Sequence, residues 1–461
     1  MRRFRDLMKR LIPALVLIAL LPALFAGCEG EKNAVTRSSY AENALTVQAT
    51  PVVRAVDACR VTSVTVTLEG LRDRELEEKL AGEINGAVEA LEKAPYPDRW
   101  GVDRLLPEGS IPEHVEVTCH VTANFGGRLS LLIKKESTYR VKGESVTLFA
   151  VDTKNYDLRD GREIGPADLF REGFDAGKAL YERLTAALSA EKEGLLQAEA
   201  LPYPLGEIKF TFNGSGVTFY ADEATPEILS DPATLGEVTV PYDETLFAAL
   251  QVFDDPEENL FEAGTSPARH LVKYPSEIRD NVAMEVNGME LRALVVLPAF
   301  FASEAAEERV MRLAPSLEDA AAQATGTGDE SYSCYFYAER VGKFMTVRFT
   351  ENDRSGMNSF SSDRMYVFDA VTAGNLSVKS LFREGFDYAH ALARVLYPGA
   401  EEEDLKTEAE AIRLCQIIPR EDHFLVRYTA RASEISVLWT GGECRAPYAA
   451  IGPENLTIYD D

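Results

Sequence analysis

Leu71, Leu76, Leu80, Ile84, Val88 and Leu91 recur at spacings of five, four, four, four and three. That is the 3.6-residue period of a helix with one apolar face. Upstream, 59–68 (CRVTSVTVTL) alternates with a period of two and is rich in β-branched residues, which predicts a strand buried on one side. Downstream, 115–123 and 128–134 flank Gly126-Gly127 and read as a hairpin, and 146–152 reads as a further strand before the Asp160-Gly161 turn. Asp175 stands at the N-cap of a second helix whose apolar face is Leu180, Leu184 and Leu188. Three strands, 208–212, 216–220 and 237–241, close the pattern.

The same order then returns. Leu169-Phe170-Arg171-Glu172-Gly173-Phe174-Asp175 recurs letter for letter as Leu381-Phe382-Arg383-Glu384-Gly385-Phe386-Asp387, 212 residues further on. Tyr156-Asp157 matches Phe368-Asp369 at the same offset, Cys119 and Gly127 match Cys334 and Gly342 at 215, Gly236 matches Gly452 at 216, and Tyr242-Asp243 matches Tyr459-Asp460 at 217. The second set of elements is a strand at 291–297, a helix carried by Val310, Leu313 and Leu317 but interrupted by Pro315, and a hairpin of 331–338 and 344–349 around Gly342. A strand at 365–369, a helix capped by Asp387 with Leu392 and Leu396 inward, and strands at 424–429, 435–439 and 456–459 complete it. Helices on one face of a mainly antiparallel sheet make an α+β fold. The expectation is two tandem copies of that unit: copy one at 51–252, an acidic Pro- and Gly-containing linker at 253–269, and a diverged copy two at 270–461 with the more structural part to play.

The N-terminus changes the picture. Residues 1–10 are basic, and 11–26 (LIPALVLIALLPALFA) form an uncharged apolar run of 16 residues. A membrane span needs about 20, whereas a signal-peptide core is shorter. The run ends Phe25-Ala26-Gly27-Cys28, which resembles a bacterial lipobox. That resemblance implies removal of 1–27, a lipid on Cys28, and a tether at 28–50 on the outer face of the cell membrane. The formal charge of −27 becomes −31 once the leader, net +4, is gone. A polyanion repels phosphate, which excludes nucleic acid as a partner and steers cationic ones.

The run from Asn155-Tyr156-Asp157-Leu158 through Asp160-Gly161-Arg162-Glu163 to Asp168-Leu169-Phe170 resembles one family's fold-back turn, D-L-F and helix. The closing Phe210-Thr211-Phe212, Gly216-Val217-Thr218-Phe219-Tyr220 and Val238-Thr239-Val240-Pro241-Tyr242 carry the same likeness. The family is the extracytoplasmic domain found in the lysozyme-sensing anti-sigma factor RsiV and beside the catalytic domain of the peptidoglycan deacetylase PdaC. The resemblance spans 50–250 and, more faintly, 270–461. It implies an extracytoplasmic binding domain of unspecified ligand. The anti-sigma signalling route is closed here, because cleavage removes the few residues that precede the apolar run, and nothing matches the deacetylase's catalytic part.

Candidate chemistry is sparse. His114, His120, His270, His390 and His423 lack the i, i+4 spacing of a helical zinc site, and no C-x-x-C occurs. Asn155, Asp157 and Asp160-Gly161 miss the EF-hand register. Gly214-Ser215-Gly216 reads as a hairpin turn, and Asp254-Asp255-Pro256-Glu257-Glu258 and Glu401-Glu402-Glu403-Asp404 as solvated loops. No cofactor and no metal are expected. Cys59, Cys119, Cys415 and Cys444 are disulfide candidates, as Cys59–Cys119 and Cys415–Cys444 within the copies, against the alternative of buried small hydrophobes. The repeated Arg171-Glu172 and Arg383-Glu384 are the candidate binding surface, against the alternative of a capped loop. The functional expectation is a non-catalytic envelope lipoprotein that binds or senses cationic envelope-active proteins or cell-wall components. The alternatives are an envelope glycan hydrolase with paired carboxylates and a structural spacer.

Overall fold

The computed structural model describes residues 39–56, 58–95, 106, 110–191, 205, 208–220, 237–254, 259–262, 268–286, 289–315, 331–355 and 358–460. The leader at 1–27, Cys28, the tether as far as 38, Gly236, Asp255 to Glu258, Leu317 and the side chain of Leu188 lie outside that set.

Copy one is preceded by β1 (Ser39–Ala41) and begins with the hairpin β2 (Thr46–Val56) and β3 (Cys59–Glu69). Helix α1 (Arg74–Lys93) starts where the Asp73 carboxylate accepts from Leu76 N, and it ends at Ala94. It crosses over to β4 (His114–Phe125), which runs parallel to β3, and β5 (Arg128–Val141), β6 (Glu144–Asp157) and β7 (Arg162–Glu163) follow antiparallel. The six strands lie in the order β2-β3-β4-β5-β6-β7. Leu80, Ile84, Val88 and Leu91 of α1 are buried with Val66, Leu68, Val117, Leu129, Leu131 and Ile133 of the sheet, as the two periods predict. Then come α2 (Ala176–Glu191), a small antiparallel sheet of β8 (Phe210–Phe212), β9 (Gly216–Tyr220) and β10 (Glu237–Pro241), and α3 (Glu244–Ala249). Leu180, Leu184, Phe210, Phe212, Val217 and Val240 share one core. The small sheet lies on the large sheet's other face, where Ser130, pointing away from α1, accepts from Phe212 N at 3.3 Å and donates to Asn155 at 2.6 Å.

After β11 (Arg269–Leu271), copy two repeats the plan with β12 (Ser276–Val286), β13 (Met289–Pro298), α4 (Glu304–Leu313), β14 (Ser331–Val341), β15 (Phe344–Ser355) and β16 (Asn358–Asp369). The order is β12-β13-β14-β15-β16, again with one parallel pair, β13 and β14, at the helical crossover. Helices α5 (Tyr388–Leu396) and α6 (Glu402–Ile412) then cover a small sheet of β17 (Gln416–Pro419), β18 (His423–Arg427) and β19 (Glu443–Pro447), with α7 (Ala430–Ile435) and α8 (Tyr448–Ile451) beside it. The fold is α+β: each mainly antiparallel sheet carries its helices on one face, and the arrangement occurs twice.

The hydrogen bonds of the two copies coincide around the repeated motif. Gln251 N donates to Leu169 O and Thr457 N to Leu381 O; Arg171 N donates to Ala249 O and Arg383 N to Asn455 O. Phe170 bridges Leu250 as Phe382 bridges Leu456. The motif residues are 212 apart and their partners at 249–251 and 455–457 are 206 apart, which makes Tyr448 the counterpart of Tyr242. Both tyrosines are buried directly after the last strand of a small sheet. The match Tyr242–Tyr459 is therefore corrected, whereas Gly236 of the match Gly236–Gly452 lies outside the described residues.

Other expectations change as well. β2 (Thr46–Val56) begins within the expected tether, whose last residues 46–50 it takes up, and it is exposed on both faces as the sheet's edge and so lacks any period-two signal. Residues 253–269 hold two core aromatics, Phe253 and Phe261. The run at 435–439 is not a strand: Thr429 caps α7, which ends at Ile435. Leu456 makes only an isolated bridge, and Tyr459 lies in a turn. Glu402 to Asp404 form the first turn of α6, where carboxylates meet the positive end of the helix dipole.

The copies meet along 268–275. Leu271 is buried in the core of copy two, while its neighbours Val272 and Tyr274 are buried in the core of copy one, with Phe247, Phe253 and Phe300 around them. β1 pairs antiparallel with β11, Tyr40 donates to Glu421 at 3.0 Å, and His270 Nε2 stands 3.0 Å from Glu42. Burial opposes a charged His270, but Glu42, Glu421 and Asp422 outweigh it and hold the imidazole above its ordinary range. Buried Arg340 lies over the Tyr274 ring at 3.7 Å. At Gly126, φ is +62°, and a Cβ would stand 1.8 Å from Val252 O, so only glycine lets the β4–β5 turn sit under this seam. Arg37–Asp461 form one compact unit. Leu271→Ala is expected to cost about 3 kcal/mol and to lower the urea midpoint of one shared transition for both copies. Two separate transitions would contradict the seam.

Candidate functional site

The site is built on the face of the copy-two sheet that turns away from α4. Alternation along β14 sends Tyr332, Cys334, Phe336 and Ala338 into the core and Ser333, Tyr335, Tyr337 and Glu339 outward. On β15, Met345, Val347 and Phe349 go inward, leaving Thr346, Arg348, Thr350 and Asn352 outward. Register sets Tyr335 opposite Thr350, Tyr337 opposite Arg348 and Glu339 opposite Thr346. The small sheet leans on the same face through Ile418 and Leu425 against Met365. Between the two sheets lie adjoining cavities of about 550 and 470 Å³ with Glu339 and Arg420 as their common wall.

The charges that line the larger cavity are spent on ion pairs. Asp363 accepts from Arg348 at 2.8 Å and from Arg427 at 2.7 Å. Burial alone would raise its carboxyl, but the two guanidiniums outweigh burial and hold it below the usual carboxylate range. Glu339 is bound by Arg420, with Lys273 Nζ at 3.9 Å, and Glu443 stands 4.0 Å from Arg348. Hydroxyls are the groups left over. Thr346 is 2% exposed, and its Oγ1 has no hydrogen-bond partner. Among the described residues, neither the Tyr335 nor the Tyr337 hydroxyl makes a hydrogen bond. The corresponding face of copy one carries Thr118, His120, Leu132 and Lys134 instead.

The residues singled out in the sequence lie elsewhere. Arg171, Glu172 and Glu384 are exposed turn residues, and Arg383 is held by Asp460 through two hydrogen bonds. No described contact joins the two motifs. Leu169, Phe170, Leu381 and Phe382 are core, Gly173 and Gly385 take φ of +87° and +80°, and Asp175 and Asp387 cap their helices. The motif is therefore a conformational device. Tyr335, Tyr337, Thr346 and Arg348 were missed because an alternating strand shows which residues share a face but not which face stays open.

Cys59, Cys119, Cys334, Cys415 and Cys444 are free thiols. The parallel register of Arg60 with His114 leaves Cys119 six residues up the strand from the level of Cys59, about 20 Å away. In the second pair β18 intervenes: Ile417 and Cys444 flank Val426 from opposite sides. Two strand spacings, about 9.5 Å, exceed the reach of a disulfide. Burial pushes the Cys119 and Cys334 thiols up to about 11; burial and then Glu408 push Cys415 up to about 12. Cys334 and Cys415 are buried and Cys119 is half-buried, and raised thiols of this kind are poor nucleophiles.

His114 and His120 lie on β4 and contact Thr62 and Thr118, and Asp157 and Asp160 hold their own turn through Arg159 and Arg162 N. Asn213 accepts from Ser215 N and Gly216 N and closes the β8–β9 turn. Among the described residues no cluster of His, Cys, Asp and Glu could hold a metal ion, and no helix is long and apolar enough to cross a membrane.

No family model and no curated protein matches the chain. Its structural neighbours include a DUF3298 family member from Bacteroides fragilis, with a TM-score of 0.30 and 16% identity over 48% of this chain and 96% of that one. Another is a DUF3298 family protein from Pseudomonas aeruginosa, with a TM-score of 0.26 and 14% identity over 49% of this chain and 96% of that one.

Alkylation of the denatured, unreduced protein is expected to modify all five of Cys59, Cys119, Cys334, Cys415 and Cys444. A mass short by two labels would mean that a disulfide joins two of them.

Proposed function

We propose that this chain is a non-catalytic ligand-binding module of the cell envelope, held at the outer face of the membrane by lipid on Cys28, with its ligand site in the copy-two cleft. The carrying observation is the division of labour in the larger cavity: its charges are paired, while Thr346 Oγ1 and two tyrosine hydroxyls stay available. Such a surface recognises and does not transform. A hydrolase of the paired-carboxylate kind needs one carboxylic acid with a raised pKa. Here Asp363 is bridged by two arginines and held low, and Glu339 is bound by Arg420. The copies then divide labour, with copy one as the membrane-proximal support and copy two as the receptor.

The net charge of −27 favours a second, surface-level reading. A cationic envelope-active protein would be drawn to this chain at low salt and released as the Debye length shrinks.

The test is a thermal-shift screen of the lipid-free chain against cell-wall fragments, cationic proteins and small envelope solutes, run beside an assay for new reducing ends. At least one class is expected to raise Tm with saturation and without turnover, and Tyr337→Ala is expected to abolish the shift while leaving the unliganded Tm within about 2 °C. Turnover of any bound glycan would overturn the non-catalytic reading. A shift unaffected by Tyr337→Ala would move the site away from the cleft. For the anchor, metabolic labelling with an alkyne fatty acid is expected to mark the wild type and to be lost in Cys28→Ser.

A further inference from the structure

The geometry points to a neutral oligosaccharide as the ligand class of the cleft, an inference that rests on reading the cleft as the binding site. Four observations carry it.

The first is charge balance. The charged groups that line the larger cavity are Glu339, Arg348 and Arg420, and each is paired: Glu339 with Arg420, and Arg348 with Asp363, which Arg427 also holds. In the larger cavity an ionic ligand would have to break one of these pairs to gain a partner, leaving the displaced group unsatisfied; exposed Arg445 lines only the adjoining space.

Topology supplies the second. β14 and β15 are interior strands, each hydrogen-bonded on both sides. Their backbone donors and acceptors are used up, so an extended peptide cannot add to the sheet at this place. Recognition has to come from side chains standing off the face.

The third is the type of side chain. Tyr335 and Tyr337 are two residues apart on one strand, so they leave it about 7 Å apart on the same face. Each offers a ring face, which takes the C–H side of a pyranose, and a hydroxyl that both donates and accepts. Thr350 and Asn352 continue the row on the adjacent strand. Groups that donate and accept at once suit a ligand whose own groups are mostly hydroxyls.

Fourth, Thr346 lies at the base of the larger cavity, 2% exposed, with Oγ1 unpartnered. A buried hydroxyl without a partner is uncommon, and a ligand hydroxyl or amide reaching the floor of the cavity would satisfy it. At about 550 Å³, adjoining a further 470 Å³, the space is in the range of small-molecule sites and open enough for more than one ring.

The experiment is calorimetry of the lipid-free full-length chain with cellotriose and tri-N-acetylchitotriose, alongside polylysine and polyglutamate of matched length. At least one sugar is expected to bind with a submillimolar Kd that changes less than twofold between 50 and 500 mM NaCl. Tyr337→Ala is expected to weaken it tenfold or more. Thr346→Val, which keeps the shape and removes the hydroxyl, is expected to weaken it about fivefold with Tm unchanged. Absence of binding by both sugars overturns the saccharide assignment. If a charged polymer binds instead and loses affinity in Tyr337→Ala, the cleft remains the site and only the ligand class is wrong. If nothing responds to Tyr337→Ala, the cleft reading falls as well.

Discussion

One short strand holds this protein together. Between Arg269 and Tyr274 the chain is extended, so successive side chains point to opposite sides, and both sides are hydrophobic cores. Leu271 belongs to copy two, and Val272 and Tyr274 belong to copy one. Burial of one side chain in each core couples the copies more tightly than a surface contact would, since either core loses a member if the strand leaves. The N-terminal Ser39–Ala41 strand reinforces the join by pairing with the same segment, and it brings Tyr40 and Glu42 to Glu421 and His270.

With the copies fixed in this way, duplication need not mean redundancy. The large sheet in each copy is covered by a helix on one face and by a small sheet on part of the other. Core positions on the helix side are constrained in both. Outward positions are constrained only where the small sheet touches. In copy one that contact joins Phe125 to Phe212 and adds hydrogen bonds through Ser130, Asn155 and Phe212 N. In copy two it joins Ile418 and Leu425 to Met365 and adds the ion pairs Arg427–Asp363 and Arg420–Glu339, and the remaining face carries tyrosine, arginine and threonine around a cavity. The more diverged copy thus carries the cleft between its two sheets. Its divergence reflects a different outward face, while the repeated LFREGFD preserves a turn that both copies need.

Particular residues show how far the chain could be read without coordinates. The Leu71 to Leu91 period, the alternation at 59–68 and the paired Asp175 and Asp387 caps were all legible, because each is a local rule with a strong period or a fixed offset. β2 was not legible: an edge strand exposed on both faces has no reason to alternate. Tyr242 was matched to Tyr459 instead of Tyr448 because an extra helix, α6, and unequal loops shift the offset from 212 to 206 within one domain. The cysteine pairs failed for a related reason, since parallel register and an intervening strand are not encoded in spacing.

What the amino-acid order determined by itself was the set of elements and their duplication, because helix period, strand period and capping residues act within a few positions along the chain. What only the tertiary structure decided was which face stayed open, which charges cancelled, and which hydroxyl was left alone. Those outcomes depend on residues far apart in sequence, such as Asp363 with Arg427 or Glu339 with Arg420, and they exist only once the two sheets are packed.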